Sequence, residues 1–215
     1  KGKHLIKNEY DENGYIIAQL DNNGNKVAFE NDLQEYKETI TDRLGNTRSI
    51  TFDASGNVTE EVDAMGAKKN FSYDVTGKKL SETDTLGNTV YYAYSGDQIS
   101  SKKDAMGNVS QYTYDSNGNL TKVVYPDGKA EETKYDERGN AISSTDRMGK
   151  TTKYSYDKNG NLISITNPEG QSILYEYNLW GDKTKEVDES GNKTLYTYDN
   201  NGNKLTKTVV IKTAE

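Results

Sequence analysis

The chain contains no cysteine. Disulfides, thiolate zinc sites and cysteine nucleophiles are therefore excluded. Its one histidine is His4. That rules out a metal site built on several imidazoles, and a Ser-His-Asp relay would have only a residue near a chain end to work with. Proline appears twice and tryptophan once in 215 residues. No apolar run approaches the ~18 residues that a membrane-spanning helix needs. Lys1–Tyr10 lacks the apolar stretch of a secretory leader, so no signal peptide is expected in this chain. Positive charge is also scarce. Lys and Arg number 27 against 34 Asp and Glu, for a net charge of −7 and a pI of about 5.0. Such a surface repels phosphate backbones and anionic leaflets, so nucleic acid and membrane partners are not expected.

What is abundant is glycine, with 19 residues, and tyrosine, with 17. A mean hydropathy of −0.99 alone would fit a disordered chain. The tyrosine content and a repeat argue for a fold instead. Glycines fall at 24, 45, 66, 87, 107, 128, 149, 170 and 191, in steps of 21 with a single step of 20. A second series falls at 14, 56, 77, 96, 118, 139, 160, 181 and 202. It keeps the same period apart from a missing member at Glu35 and a slip at Gly96. Only Gly2 belongs to neither series.

Each series has its own signature. The second reads Tyr-Asp-x-x-Gly-Asn, as in Tyr114, Asp115, Gly118 and Asn119, in Tyr156, Asp157, Gly160 and Asn161, and in Tyr198, Asp199, Gly202 and Asn203. Tyr135 to Asn140 fits as well. The first reads Asp-x-x-Gly, as at Asp42 to Gly45, Asp84 to Gly87 and Asp188 to Gly191. Aspartate suits the first position of a type I turn, where its carboxylate accepts from backbone N–H groups ahead of it. Glycine then takes φ > 0 and forms the bulge that starts the return strand. A turn every ten or eleven residues leaves about six residues per strand.

The strand segments agree. Tyr112-Thr113-Tyr114, Tyr154-Ser155-Tyr156, Tyr175-Glu176-Tyr177 and Tyr196-Thr197-Tyr198 alternate aromatic with small or polar residues. Alternation places the aromatics on one face of a sheet. Partner strands are less clear, because Val58, Leu120 and Leu162 share their repeat position with Lys79, Lys183 and Lys204. Leu44, Met65, Leu86, Met106 and Met148 each precede a first-series glycine. An apolar residue in a polar turn predicts that these turns tuck against another layer.

The expected fold is therefore all-β. Roughly 20 short antiparallel strands form 21-residue hairpin repeats, and a sheet that long twists into a coiled, spiralling ribbon. Residues 1–215 read as one repeat array, with a degenerate repeat at about 31–36 and irregular ends at 1–9 and 208–215.

Tyr-Asp-x-x-Gly-Asn at this spacing resembles the YD repeat of RHS proteins, wall-associated proteins, the BC component of insecticidal toxin complexes, and teneurins. The resemblance runs from about Tyr10 to Asn203. It implies a spiralling β-sheet that closes into a hollow shell, which in the bacterial toxins encloses a C-terminal toxic domain. The composition, rich in lysine and asparagine and without cysteine, looks bacterial. On this resemblance the chain is a non-catalytic structural segment of a secreted or cell-surface bacterial protein. Its partners would be flanking repeats and a toxin or effector domain. No cofactor and no metal are implied.

Paired aspartates can serve as glycosidase acid and base or as calcium ligands, but one aspartate per turn at fixed intervals is more simply a turn former. The glycine-rich turns lack the Gly-Lys-Ser/Thr of a phosphate loop. Tyrosines can stack on sugar rings, or pack a sheet face while their hydroxyls find polar partners. Trp180, Tyr175, Tyr177, Tyr196 and Tyr198 are the candidate glycan contacts of an alternative carbohydrate or cell-wall binding module. Unpaired outer strands would also favour self-association through sheet edges.

Overall fold

The structure, a computed structural model, describes residues 6–212. His4 lies outside the described residues. Every described element is a strand, and there are 20 of them. The chain divides into two compact units, Lys1–Val109 and Ser110–Glu215. The first carries β1 (Lys7–Tyr10), β2 (Ile16–Leu20), β3 (Lys26–Asp32), β4 (Lys37–Thr41), β5 (Thr47–Phe52), β6 (Val58–Val62), β7 (Lys68–Tyr73), β8 (Lys79–Thr83), β9 (Thr89–Ser95) and β10 (Gln98–Lys103). The second carries β11 (Val109–Tyr114), β12 (Leu120–Val124), β13 (Ala130–Tyr135), β14 (Ala141–Thr145), β15 (Thr151–Tyr156), β16 (Leu162–Thr166), β17 (Ser172–Tyr177), β18 (Lys183–Val187), β19 (Lys193–Tyr198) and β20 (Lys204–Val210).

Within each unit, each strand pairs antiparallel with its neighbours in the chain, from β1–β2 through β9–β10 and from β11–β12 through β19–β20. The strand number and the antiparallel order follow the expectation from sequence. All 18 glycines of the two series have positive φ. Strand β1 starts at Lys7, within the first end expected to be irregular, and β20 runs into the second as far as Val210.

Among the described residues no second layer covers either unit's sheet. Among described residues only Ala18 and Ile40 are buried hydrophobics, and no polar side chain is buried. Aromatic strands instead alternate half-buried and exposed positions, as in β11, β15 and β19. Stability in such a fold comes from neighbour contacts and backbone ladders rather than from one core. The apolar turn residues do not tuck against anything. Leu44, Met65, Leu86, Met106 and Met148 are 77–94% exposed. The turn lifts its tip beyond the strand ends, and among the described residues of each unit no layer stands there to receive it.

Two places depart from the repeat. At the 20-residue step, β9 and β10 are joined by Gly96 and Asp97 alone, with Ser95 opposite Gln98. Gly96 has φ 59, and no positive φ occurs at Asp97. Glycine at the first central position with φ > 0 is the mark of a type II′ hairpin. The shorter loop, offset by longer strands, accounts for the slip in register. At the degenerate repeat, Asp32 still accepts from the amides of Gln34 and Glu35 at 2.9 and 3.0 Å. With no glycine available, Tyr36 takes the left-handed conformation at φ 52.

Candidate functional site

The repeated feature with defined chemistry is the turn. In Asp115–Asn119 the Asp115 N–H donates to the Asn119 carbonyl at 3.0 Å, and the Gly118 N–H donates to the Asp115 carbonyl at 3.1 Å. Asp115 Oδ1 accepts from the amides of Asn117 and Asn119, both at 2.9 Å. Its Oδ2 accepts from Asn119 Nδ2 at 3.0 Å. Gly118 has φ 88, where a side chain would be strained. The same set recurs at Asp157–Asn161 and Asp199–Asn203. First-series turns at Asp42, Asp84, Asp104 and Asp188 repeat it too.

The terminal asparagine of the signature is thus a clamp on the second carboxylate oxygen, a role that spacing alone did not assign. Its logic is visible at Asn178–Asp182, where the two residues are exchanged. Asn178 Oδ1 accepts from the Trp180 and Asp182 amides, and Asn178 Nδ2 donates to Asp182 Oδ2 at 2.9 Å. One amide and one carboxylate suffice in either order.

Hydrogen bonds from the asparagine side chain and amide hold the carboxyls of Asp42, Asp53, Asp84, Asp115, Asp136, Asp157 and Asp199 below their ordinary 3.8. These carboxylates are ionised at neutral pH and occupied by their own turns, the reverse of a general acid, which needs a raised pKa. Among the described residues no group of three or more acidic or imidazole side chains is gathered as a metal site. Tyr125 stands in the aspartate slot of one turn, and Gly128 N–H still donates to the Tyr125 carbonyl at 2.9 Å.

The tyrosine of the signature ties hairpins to each other. The hydroxyls of Tyr94, Tyr135, Tyr156, Tyr177 and Tyr198 donate to the carbonyls of Lys79, Leu120, Ala141, Leu162 and Lys183, each 15 residues earlier and 2.8–3.1 Å away. Each accepting carbonyl begins the preceding strand, so this bond joins one hairpin to the next. Phe52 fills the same repeat position without a hydroxyl.

Tyr175 lies opposite Glu186, and Glu186 opposite Thr194. Tyr175, Tyr177, Tyr196 and Tyr198 therefore share one face. Lys183 Nζ sits 5.1 Å from the Tyr175 ring centre and 5.4 Å from that of Tyr196, and Lys204 Nζ sits 4.6 Å from Tyr196. Lys79 likewise lies 5.1 Å over Phe71. The lysines that obscured the strand pattern therefore belong to the aromatic face, with the ammonium over the ring. Glu186, 2.6 Å from Lys183 Nζ, raises the Lys183 pKa above its ordinary value through that hydrogen bond. Trp180 is not on this strand face. It stands 82% exposed at the tip of the turn between β17 and β18, beside the exposed Leu179.

Adjacent first-series turns of the second unit are joined by polar contacts. Arg147 pairs with Asp127 at 2.7 Å and stacks 4.2 Å from the Tyr125 ring centre. Lys150 pairs with Glu169 at 3.2 Å, and Asn167 Nδ2 donates to Glu189 at 2.9 Å.

Against this geometry, the RHS Repeat family profile matches residues 52–89, 92–130, 135–172 and 156–193. No curated protein matches the chain at a significant level. The solved complex TcdB2-TccC3-Cdc42 aligns with 95% of this chain at 15% identity and a TM-score of 0.51. A Tc holotoxin pore of Photorhabdus luminescens carrying a substituted TccC3 aligns with 95% at 12% identity and a TM-score of 0.38. The chain spans only 15% and 16% of the length of those two chains. At such identity the likeness speaks of fold alone. The profile, however, covers more than half of the sequence, and its matches run through the hydrogen-bonded turns at Asp115–Asn119 and Asp157–Asn161: the chain belongs to the RHS-repeat family.

Proposed function

We propose that this chain is a non-catalytic wall segment of a larger bacterial RHS-type protein that is secreted or held at the cell surface. Both units act in this reading as one repeat array. They would form part of a shell or scaffold that encloses or presents a toxin or effector domain, with flanking repeats as immediate partners. The supporting observation is that the repeat consumes its own chemistry. Turn carboxylates are bonded to turn amides and asparagines, and signature tyrosine hydroxyls to neighbouring strands. What remains is a framework. The reading is tested on the parent protein by limited proteolysis, with and without removal of one 21-residue unit such as residues 136–156. The intact parent should shield its effector domain, and the deletion should open it. A parent reading frame with no toxin or effector domain sinks this function.

Trp180 favours a second reading, a carbohydrate or cell-wall contact made by the exposed indole, with Tyr175, Tyr177, Tyr196 and Tyr198 set apart from it on the strand face, where Lys183 and Lys204 lie over Tyr175 and Tyr196. An indole held outward on a rigid turn is suited to stacking on a sugar ring. Because it is the single tryptophan, its fluorescence reports directly. Saturable change on glycan titration, lost in Trp180→Ala, is the expected sign. A flat response across a glycan panel removes the idea.

A further inference from the structure

Two departures from the repeat fall side by side in the first unit. In the turn that opens at Asp53 the left-handed residue is Gly56, the fourth of the turn. In the preceding turn on the same edge, which opens at Asp32, it is Tyr36, the fifth. The other departure is Phe52. Tyrosines at its repeat position bond a carbonyl 15 residues earlier, and the same count from Phe52 reaches Lys37, whose carbonyl lacks that hydroxyl. The Phe52 N–H instead donates to the Tyr36 carbonyl at 2.8 Å. Between the two turns lies an open groove of about 490 Å³, within the size range of small-molecule sites.

The apolar surface of this groove comes chiefly from Leu33, Tyr36 and Phe52. Its charged groups are Asp32, Glu38, Asp53 and Lys37, three carboxylates against one ammonium. Among the described residues no ion pair joins Lys37 to any of the three. Asp32 uses Oδ1 for its own turn amides. Tyr36 stands where the regular turn has its asparagine, so Asp32 Oδ2 has no asparagine clamp. Such a groove repels an anion, and a wholly apolar body would strip water from the carboxylates without replacing it. A cation on an apolar body meets both conditions, since carboxylates and ring faces each attract it. The strain fits as well. A bulky residue at φ 52 is costly, and such strain persists where a side chain is needed against a ligand. We propose that this groove binds a small organic cation, an ammonium group carried on an apolar or aromatic body, with Tyr36 and Phe52 as its walls. The proposal goes beyond the scaffold reading and does not depend on it.

The test uses the full chain at low salt and follows its amide resonances by NMR. Benzyltrimethylammonium is titrated in, with neutral benzyl alcohol and anionic phenylacetate as controls. The cation should shift residues 32–38 and 52–56 saturably, and the two controls should not. Glu38→Gln should weaken binding at least about threefold. Tyr36→Gly removes one wall while relieving the strained turn. It should weaken binding at least about tenfold and yet raise the urea midpoint, an opposition that a mere turn defect would not produce. Equal shifts from all three compounds overturn the proposal. So does a chain that shows no shift at millimolar cation, a response confined to other residues, or binding unchanged by Tyr36→Gly. None of these outcomes bears on whether the parent carries an effector domain.

Discussion

At Asp115–Asn119 the chain reverses on a glycine at φ 88, and at Asp32–Tyr36 it reverses on a tyrosine at φ 52. Both turns begin with an aspartate whose Oδ1 accepts two backbone amides. Only the first adds an asparagine on Oδ2. The glycine turn carries no side chain to strain. The tyrosine turn holds a bulky residue in a conformation that costs non-glycine residues on the order of 1–3 kcal/mol. Reversal therefore needs the aspartate and a left-handed residue. Glycine and asparagine make the reversal inexpensive and rigid.

Acid should have the largest effect, because many asparagine-clamped turns respond together. Their aspartates have folded pKa values below the ordinary 3.8. A depressed carboxyl contributes stability that is fully present above its unfolded value and is lost as pH falls through its folded value. Urea midpoints should hold steady from neutral pH to somewhat above 3.8 and then drop steeply below it. A midpoint that already declines near neutrality would contradict the clamp.

A smaller effect comes from Gly118→Val, which forces a β-branched residue to φ 88 and should cost about 1–3 kcal/mol in urea unfolding. Next is the clamp itself. Asn119→Asp places two carboxylates together and should lower the thermal midpoint. Adding Asp115→Asn recreates the exchanged pair seen at Asn178 and Asp182, and should restore most of the loss. Tyr135→Phe removes the bond to the Leu120 carbonyl and should cost about 0.5–1.5 kcal/mol, read as faster amide exchange where β12 meets β13. The smallest change has the opposite sign. Tyr36→Gly relieves the strained turn and should stabilise by up to about 1 kcal/mol, since glycine's unfolded-state freedom offsets part of the gain.

The turns were legible in the sequence because a single residue type decides each of them. Glycine marks φ > 0 and aspartate marks the first turn position, so period, strand number and antiparallel order followed from spacing. The loss of glycine at Glu35 located the irregular turn, but not its solution. Choosing Tyr36 as the left-handed residue depends on how far β3 runs on, to Asp32, before the reversal. The tyrosine stitches were not legible, because donor and acceptor lie 15 residues apart on different hairpins. Lys79, Lys183 and Lys204 read as breaks in an apolar face, since hydropathy assigns lysine to water while a ring beneath its ammonium reverses that preference. The apolar tips from Leu44 to Met106 read as buried for the complementary reason. Hydropathy states what a side chain favours, not whether anything stands opposite it.

With so little buried beneath the strands, mechanical load in either unit has nowhere to spread. Tension applied along the chain would reach the outermost ladder first, detach that strand, and only then engage the next, as a seam opens stitch by stitch at a low, nearly constant force. Such a textile resists deformation only when its borders are fastened to something else.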